Sequence, residues 1–170
     1  MSISITSPQQ IPGSEAILTD EALAFVEKLH ERFADTREEL LQARVQARAE
    51  AARTGTLDFL PQTREIREGD WTVAPAPAKL QDRRVEITGP VTPAKMAINA
   101  LNSGAKVWLA DLEDASAPTW FNVVDAQVNL RNAAQGKLSF TSPEGKEYRL
   151  REDGELATIC LLYTSPSPRD

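Results

Sequence analysis

A chain of 170 residues, 41% hydrophobic and 26% charged, is long enough to bury one sizeable core, and one domain with an appendage is the expected organisation. Its net charge of −6 disfavours nucleic acid as a partner, and its single cysteine, Cys160, excludes an internal disulfide or a multi-cysteine zinc cluster. No apolar run is long enough to span a bilayer and Met1–Gln10 lacks the basic start and apolar middle of a signal peptide, so a cytoplasmic chain with no membrane partner is expected.

Residues 1–18, interrupted by Pro8, Pro12 and Gly13, read as an irregular arm that Ile17 and Leu18 dock on the body. Thr19 is a candidate N-cap for a long scaffold helix. Asp20 and Glu21 favour its first turn, Ala22, Val26, Leu29, Phe33 and Leu40 recur at helical spacing, and Gly55 ends it. His30, the only histidine, reads as a surface or packing residue of that helix. Residues 56–82 carry Pro61, Gly69, Pro75 and Pro77, so they read as a connector with one short helix around Thr63–Arg67.

At Arg83 the pattern changes. Val85 and Ile87 alternate with polar neighbours in a short strand that Gly89-Pro90 ends. Thr92 then caps a helix starting at Pro93, with Met96, Ala97, Ala100 and Leu101 as its buried face and Gly104 as its stop. Lys106–Leu112 is almost continuously apolar, as expected of a parallel strand covered on both faces. A loop, Glu113–Thr119, leads to a helix over Trp120–Ala134 with Val123, Val124, Gln127, Val128 and Arg131 at helical intervals. This is a right-handed βαβ unit with a further helix. Leu138 and Phe140 then face Tyr148 and Leu150 across Ser142-Pro143-Glu144-Gly145 in a β-hairpin.

Candidate chemistry collects at the ends of the two strands. Asp111, Glu113 and Asp114 leave the second strand on the rim that the Thr88-Gly89-Pro90 turn also reaches, which is where parallel α/β folds place their sites. Crowded carboxylates repel unless a cation or basic partner is near, and magnesium takes such oxygen ligands. The competing structural reading has Asp114 or Ser116 capping the next helix and the other acids solvated. Lys95, on the first turn of its helix, is placed to meet a phosphate or is simply a surface lysine. No glycine-rich phosphate loop, serine nucleophile elbow or histidine metal motif is present.

Four stretches together resemble the malate synthase family, in its shorter A-type isoform: LQDRRVEITGPV at Leu80–Val91, KMAINALNSGAKVWLADLEDASAPTW at Lys95–Trp120, NVVDAQVNLRNA from Asn122, and REGDW at Arg67–Trp71. The resemblance covers about residues 15–159 and implies an α/β fold: an N-terminal helical clasp and connector over 1–82, then the first βα units of an incomplete TIM barrel with a hairpin over 83–159. It implies a magnesium-dependent enzyme of the glyoxylate bypass that condenses acetyl-CoA with glyoxylate and hydrolyses the product to malate and CoA.

Carried onto this chain, the resemblance puts Glu113 and Asp114, with Asp111 in the same motif, beside the metal without ligating it directly. Thr88 and Lys95 flank the segment that contacts acetyl-CoA. The serine that usually follows the Glu-Asp pair is replaced by Ala115, leaving Ser116 as the candidate in its place. The enolate-stabilising arginine, the aspartate base and the direct metal ligands of the family belong beyond Ile159, and Arg169 does not stand in for the arginine.

Residues 160–170, CLLYTSPSPRD, depart from the family and are expected to be a foreign, adapter-derived tail that continues neither strand nor helix. On this reading the chain is an inactive N-terminal part whose second strand lacks a partner on one side, so the isolated polypeptide is expected to fold poorly. Two alternatives are a CoA-thioester lyase like the citrate lyase β-subunit or malyl-CoA lyase, and a non-catalytic truncated product. The helical lead of about eighty residues and RRVEITGPV weigh against the lyases, which begin near their first barrel strand.

Overall fold

The computed structural model describes residues 3–162, except the side chain of Leu162. The described chain divides into two compact units, one of residues 3–4 and 20–75, the other of residues 5–19 and 76–162.

The first unit is dominated by α1, Asp20–Thr54, with acids in its first turn and Arg53 in its last, as the helix dipole favours. Its 35 residues make a rod about 52 Å long at 1.5 Å per residue. Gly55, at φ +72°, closes it by donating its N–H to the Ala51 carbonyl at 2.9 Å. The apolar stripe forms, but no residue of α1 is buried, and Phe25, Val26, Leu29, Phe33 and Leu40 are all exposed. His30 is exposed as expected. In the connector, α2 spans Arg64–Glu68; the Trp71 indole donates to the Ile66 carbonyl at 2.6 Å, and the Arg67 guanidinium lies 4.9 Å from the Phe59 ring centre.

The second unit holds a three-stranded parallel sheet in the order β1-β2-β5, with β1 at Glu86–Pro90, β2 at Val107–Asp111 and β5 at Thr158–Leu162. Helix α3, Ala94–Leu101, crosses from β1 to β2. Helix α4, Trp120–Ala134, and an antiparallel hairpin of β3, Ser139–Thr141, and β4, Glu147–Arg149, intervene before β5. The hairpin is the expected one, with Phe140 opposite Tyr148 and ring centres 5.9 Å apart.

The helices pack on one face of the sheet. Trp108 and Ala110 of β2, both fully buried, meet Ala97, Ile98 and Leu101 of α3 and Ala126, Leu130 and Ala133 of α4. Because side chains alternate along a strand, Val107, Leu109 and Asp111 point to the opposite face, together with Thr88 of β1 and Thr158 and Cys160 of β5.

Several expectations change here. The strand after Arg83 does not stop before Gly89-Pro90: Gly89 pairs with Ala110 and Pro90 with Asp111, since a proline at the last position of an outer strand leaves no central ladder bond unmade. Thr92 does not cap α3. Pro93, in an extended conformation, is the N-cap, and the Thr92 hydroxyl donates to the Asp125 carboxylate of α4 at 2.9 Å, a charged acceptor. With that anchor the buried face of α3 turns to Ala97, Ile98 and Leu101, and Met96 is 40% exposed.

In α4 the buried residues are Val124, Ala126, Asn129, Leu130 and Ala133, and Val123 and Arg131 face outward. Its alanines 126 and 133 belong to the same buried cluster as Trp108 and Ala110 of β2. The arm is docked chiefly by Ile11, 3% exposed, and by Gly13, whose φ of +84° and 2.9 Å approach of any added Cβ to Val128 leave no room for a side chain; Ile17 and Leu18 are half-buried.

The expected lack of a partner beside β2 is also corrected: β1 and β5 flank it. Cys160, Leu161 and Leu162, expected to leave regular structure, are the last three residues of β5 and pair with Leu109, Ala110 and Asp111. The remainder of the expected foreign tail, residues 163–170, lies outside the described residues. Among the described residues no helix is long and apolar enough to cross a membrane.

Trp108→Ala should cost the second unit about 3–5 kcal/mol, the range for emptying a large buried aromatic site, whereas Leu40→Ala on α1 should stay within about 0.5 kcal/mol; urea unfolding of each variant checks the contrast. Arg83, hydrogen-bonded to Glu86 at the start of β1, holds that carboxyl below its ordinary value of 4.5. A depressed folded-state value means that the pair's contribution is complete above the ordinary value and disappears as pH falls through the lowered one. Glu86 should therefore titrate below 4.5 by NMR and return to its ordinary value in Arg83→Gln.

Candidate functional site

The site is built where β1 and β2 end side by side. Parallel pairing in register, with Pro90 opposite Asp111, brings the Val91–Pro93 turn and the Glu113–Thr119 loop onto one rim. Asp111 is the organising residue of that rim. Its carboxylate is 3% exposed, and its Oδ1 accepts the backbone N–H groups of Glu113 at 2.9 Å and Asp114 at 2.8 Å. A short acidic side chain accepting from amides two and three residues ahead folds the chain back on itself as an Asx-type turn. Ser116 completes the turn by donating its hydroxyl to the Asp111 carbonyl at 2.9 Å.

The three acids therefore do not point together at one place. Asp111 is buried and its Oδ1 committed to the loop, Glu113 is half-buried, and Asp114 is exposed. Among the described residues no group of three or more His, Cys, Asp or Glu side chains is disposed to hold a metal ion. Neither Asp114 nor Ser116 caps α4. Thr119 does, its Oγ1 accepting the Asn122 N–H at 3.2 Å, while the Asn122 side-chain amide donates to the Ala117 carbonyl at 3.0 Å.

Of the residues expected near a CoA thioester, Thr88 lies on β1, exposed on the same sheet face as Asp111. Lys95 is half-buried in the first turn of α3, where its charge adds to that of the helix N-terminus. Its neighbourhood includes the hairpin tip: the Glu144 carboxyl is held below the ordinary carboxylate range by the Ser142 hydroxyl, with a smaller contribution from the Lys95 charge. Thr88 and Lys95 thus sit on the strand and the helix that the rim turn joins, and Ser116 belongs to the adjacent loop.

One group of polar residues escaped the sequence reading. Asp125 and Asn129, one turn apart on α4, bind the β1–α3 turn: Asp125 Oδ2 accepts from the Thr92 hydroxyl and from Asn129 Nδ2, both at 2.9 Å, and Asn129 Nδ2 also lies 3.4 Å from the Val91 carbonyl. Asn129 is 6% exposed, and a polar residue in the middle of a buried helical face was the available signal.

Asp111→Ala should destabilise the second unit by about 2–3 kcal/mol and Asp111→Asn, which keeps an acceptor, by about 1 kcal/mol, because the alanine leaves two amides to find other partners. Chemical unfolding gives both values, and faster hydrogen exchange at the Glu113 and Asp114 amides should accompany the larger one.

Comparison with known proteins gives the same answer along most of the chain. Residues 5–65 match the family model "Malate synthase, N-terminal domain". The chain is 54% identical over 159 residues to malate synthase of Streptomyces clavuligerus, covering 92% of this chain and 29% of that protein. It is 56% identical over 139 residues to malate synthase of Myxococcus xanthus, covering 82% and 26%. It is 47% identical over 147 residues to malate synthase A of Escherichia coli, covering 86% and 27%. The chain thus spans less than a third of the length of each of these relatives. With a helical lead matching the N-terminal domain and a strand-end rim inside the stretch of about half identity, the chain belongs to the malate synthase family and corresponds to the N-terminal part of its members.

Proposed function

We propose that this chain is the N-terminal part of an enzyme that condenses acetyl-CoA with glyoxylate and hydrolyses the resulting thioester to malate and CoA, as a cytoplasmic step of the glyoxylate bypass. The observation that carries this reading is the 54% identity to a malate synthase over 159 residues, a span that includes both strand ends and the loop between β2 and α4. The β1-β2-β5 sheet, with a helix following each of its first two strands, is consistent with the opening of a TIM barrel. On this proposal the 170 residues alone are inactive.

The chain's own residues supply the CoA side of such a site. Lys95 and the N-terminus of α3 offer positive charge to a phosphate, Thr88 offers a hydroxyl on the sheet face opposite the helices, and Ser116 borders the same rim. A magnesium ion bound in the complete enzyme would supply Lewis-acid polarisation of an aldehyde oxygen. The described residues do not make a ligand set for it, so the parts assigned here to Glu113, Asp114 and Asp111 are to shape the adjoining loop and to orient water. The lyase alternative is not favoured, because the relatives named above are malate synthases and the matching family model covers the helical lead.

Joined to downstream sequence that restores the length of its relatives, the protein should release free CoA from acetyl-CoA only when glyoxylate and magnesium are both present. The 170-residue chain should give no release above background. A thiol-reactive dye follows both reactions. Cleavage of malyl-CoA to acetyl-CoA and glyoxylate, with no net CoA release, would move the assignment to the lyases.

A further inference from the structure

We infer that Asp125 and Asn129 of α4 are positioning residues for the CoA-thioester end of the site, acting through the Val91–Pro93 turn. The inference rests on the reading above that Thr88 and Lys95 face the CoA moiety. These two residues stand on either side of a turn that is anchored from one direction. Val91 is fully buried, the Thr92 hydroxyl donates to Asp125 Oδ2 at 2.9 Å, and Asn129 Nδ2 reaches both that carboxylate oxygen and the Val91 carbonyl.

Three features show that this anchor does more than fill space. The bond from Thr92 to Asp125 joins residues 33 apart in sequence, so it fixes one element against another rather than stiffening a local turn. It draws Thr92 away from the capping role its sequence position offers, and α3 begins without any side-chain cap, so the direction of its first turn, where Lys95 sits, is set by Asp125. Asp125 accepts two donors on a single oxygen in a half-buried place, where hydrogen bonds to a charged acceptor are at their stronger end. A group that must meet a phosphate within hydrogen-bonding distance gains from such support, because small misplacements of a binding group are costly.

The test uses the protein extended to the length of its relatives. Thr92→Val keeps the side-chain shape and removes the donor, and Thr92→Ser restores it. Thr92→Val should raise KM for acetyl-CoA about tenfold, the order of loss that follows when a binding group is misplaced from a distance, with kcat and KM for glyoxylate within about twofold. Thr92→Ser should return KM for acetyl-CoA to within about twofold of the parent. Hydrogen exchange, read in the same proteins without substrate, should be faster at the Ala94–Met96 amides of Thr92→Val and unchanged across Val107–Asp111.

An unchanged KM for acetyl-CoA, equal losses in kcat and both KM values, or a valine-like serine variant would overturn the inference. So would exchange that is unaltered at Ala94–Met96 or faster everywhere. If the unsubstituted protein releases no CoA from acetyl-CoA and glyoxylate, the functional reading has failed and with it the CoA role of the anchor. The exchange measurement then decides separately whether the anchor orients α3.

Discussion

Burial of the Trp108 indole between the sheet and two helices is the constraint on which the second unit depends. A side chain of that size on the central strand sets the spacing at which α3 and α4 can lie, and the alanines at 97, 126 and 133 are what let them close over it. Its indole nitrogen has no hydrogen-bond partner among the described residues, so within them the residue contributes through volume and contact. Once β2 is fixed this way, the parallel register carries the position of Asp111 to the end of β1 with no further adjustment.

Asp111 shows how a structural and a functional reading share one residue. A carboxylate at the last position of a buried strand costs free energy unless it is hydrogen-bonded, and here the following loop satisfies it with two of its own amides. The acid that looks like a ligand in sequence is thereby the residue that shapes the loop. Other polar side chains of the rim are Glu113, half-buried on the loop, and Thr88 and Lys95 on the neighbouring strand and helix.

Much of this was legible in the chain. The extent of α4 follows from its apolar period, though its cap, Thr119, does not; β2 follows from its apolar run and the hairpin from its four-residue turn. The rotation of α3 was not legible, because it is tied to a bond from Thr92 to a residue 33 positions away and not to the helix's own period, from which Met96 was read as a core residue and Ile98 was not. The pairing of Cys160–Leu162 was hidden by the serine-proline run behind it, although three residues of that apolar stretch find partners on β2. On α1 periodicity identified the helix and its stripe but gave no information about burial, which depends on what lies opposite.

The clamp at the foot of the hairpin has a mechanical consequence. Asn102, at the C-terminal end of α3, donates its side-chain amide to the Arg149 carbonyl at 2.8 Å and accepts the Arg151 N–H at 3.0 Å, copying with one side chain the paired bonds of a β-ladder. Helix and hairpin are thus fastened at the hairpin's base, so a displacement of that base must carry the C-terminal end of α3 with it.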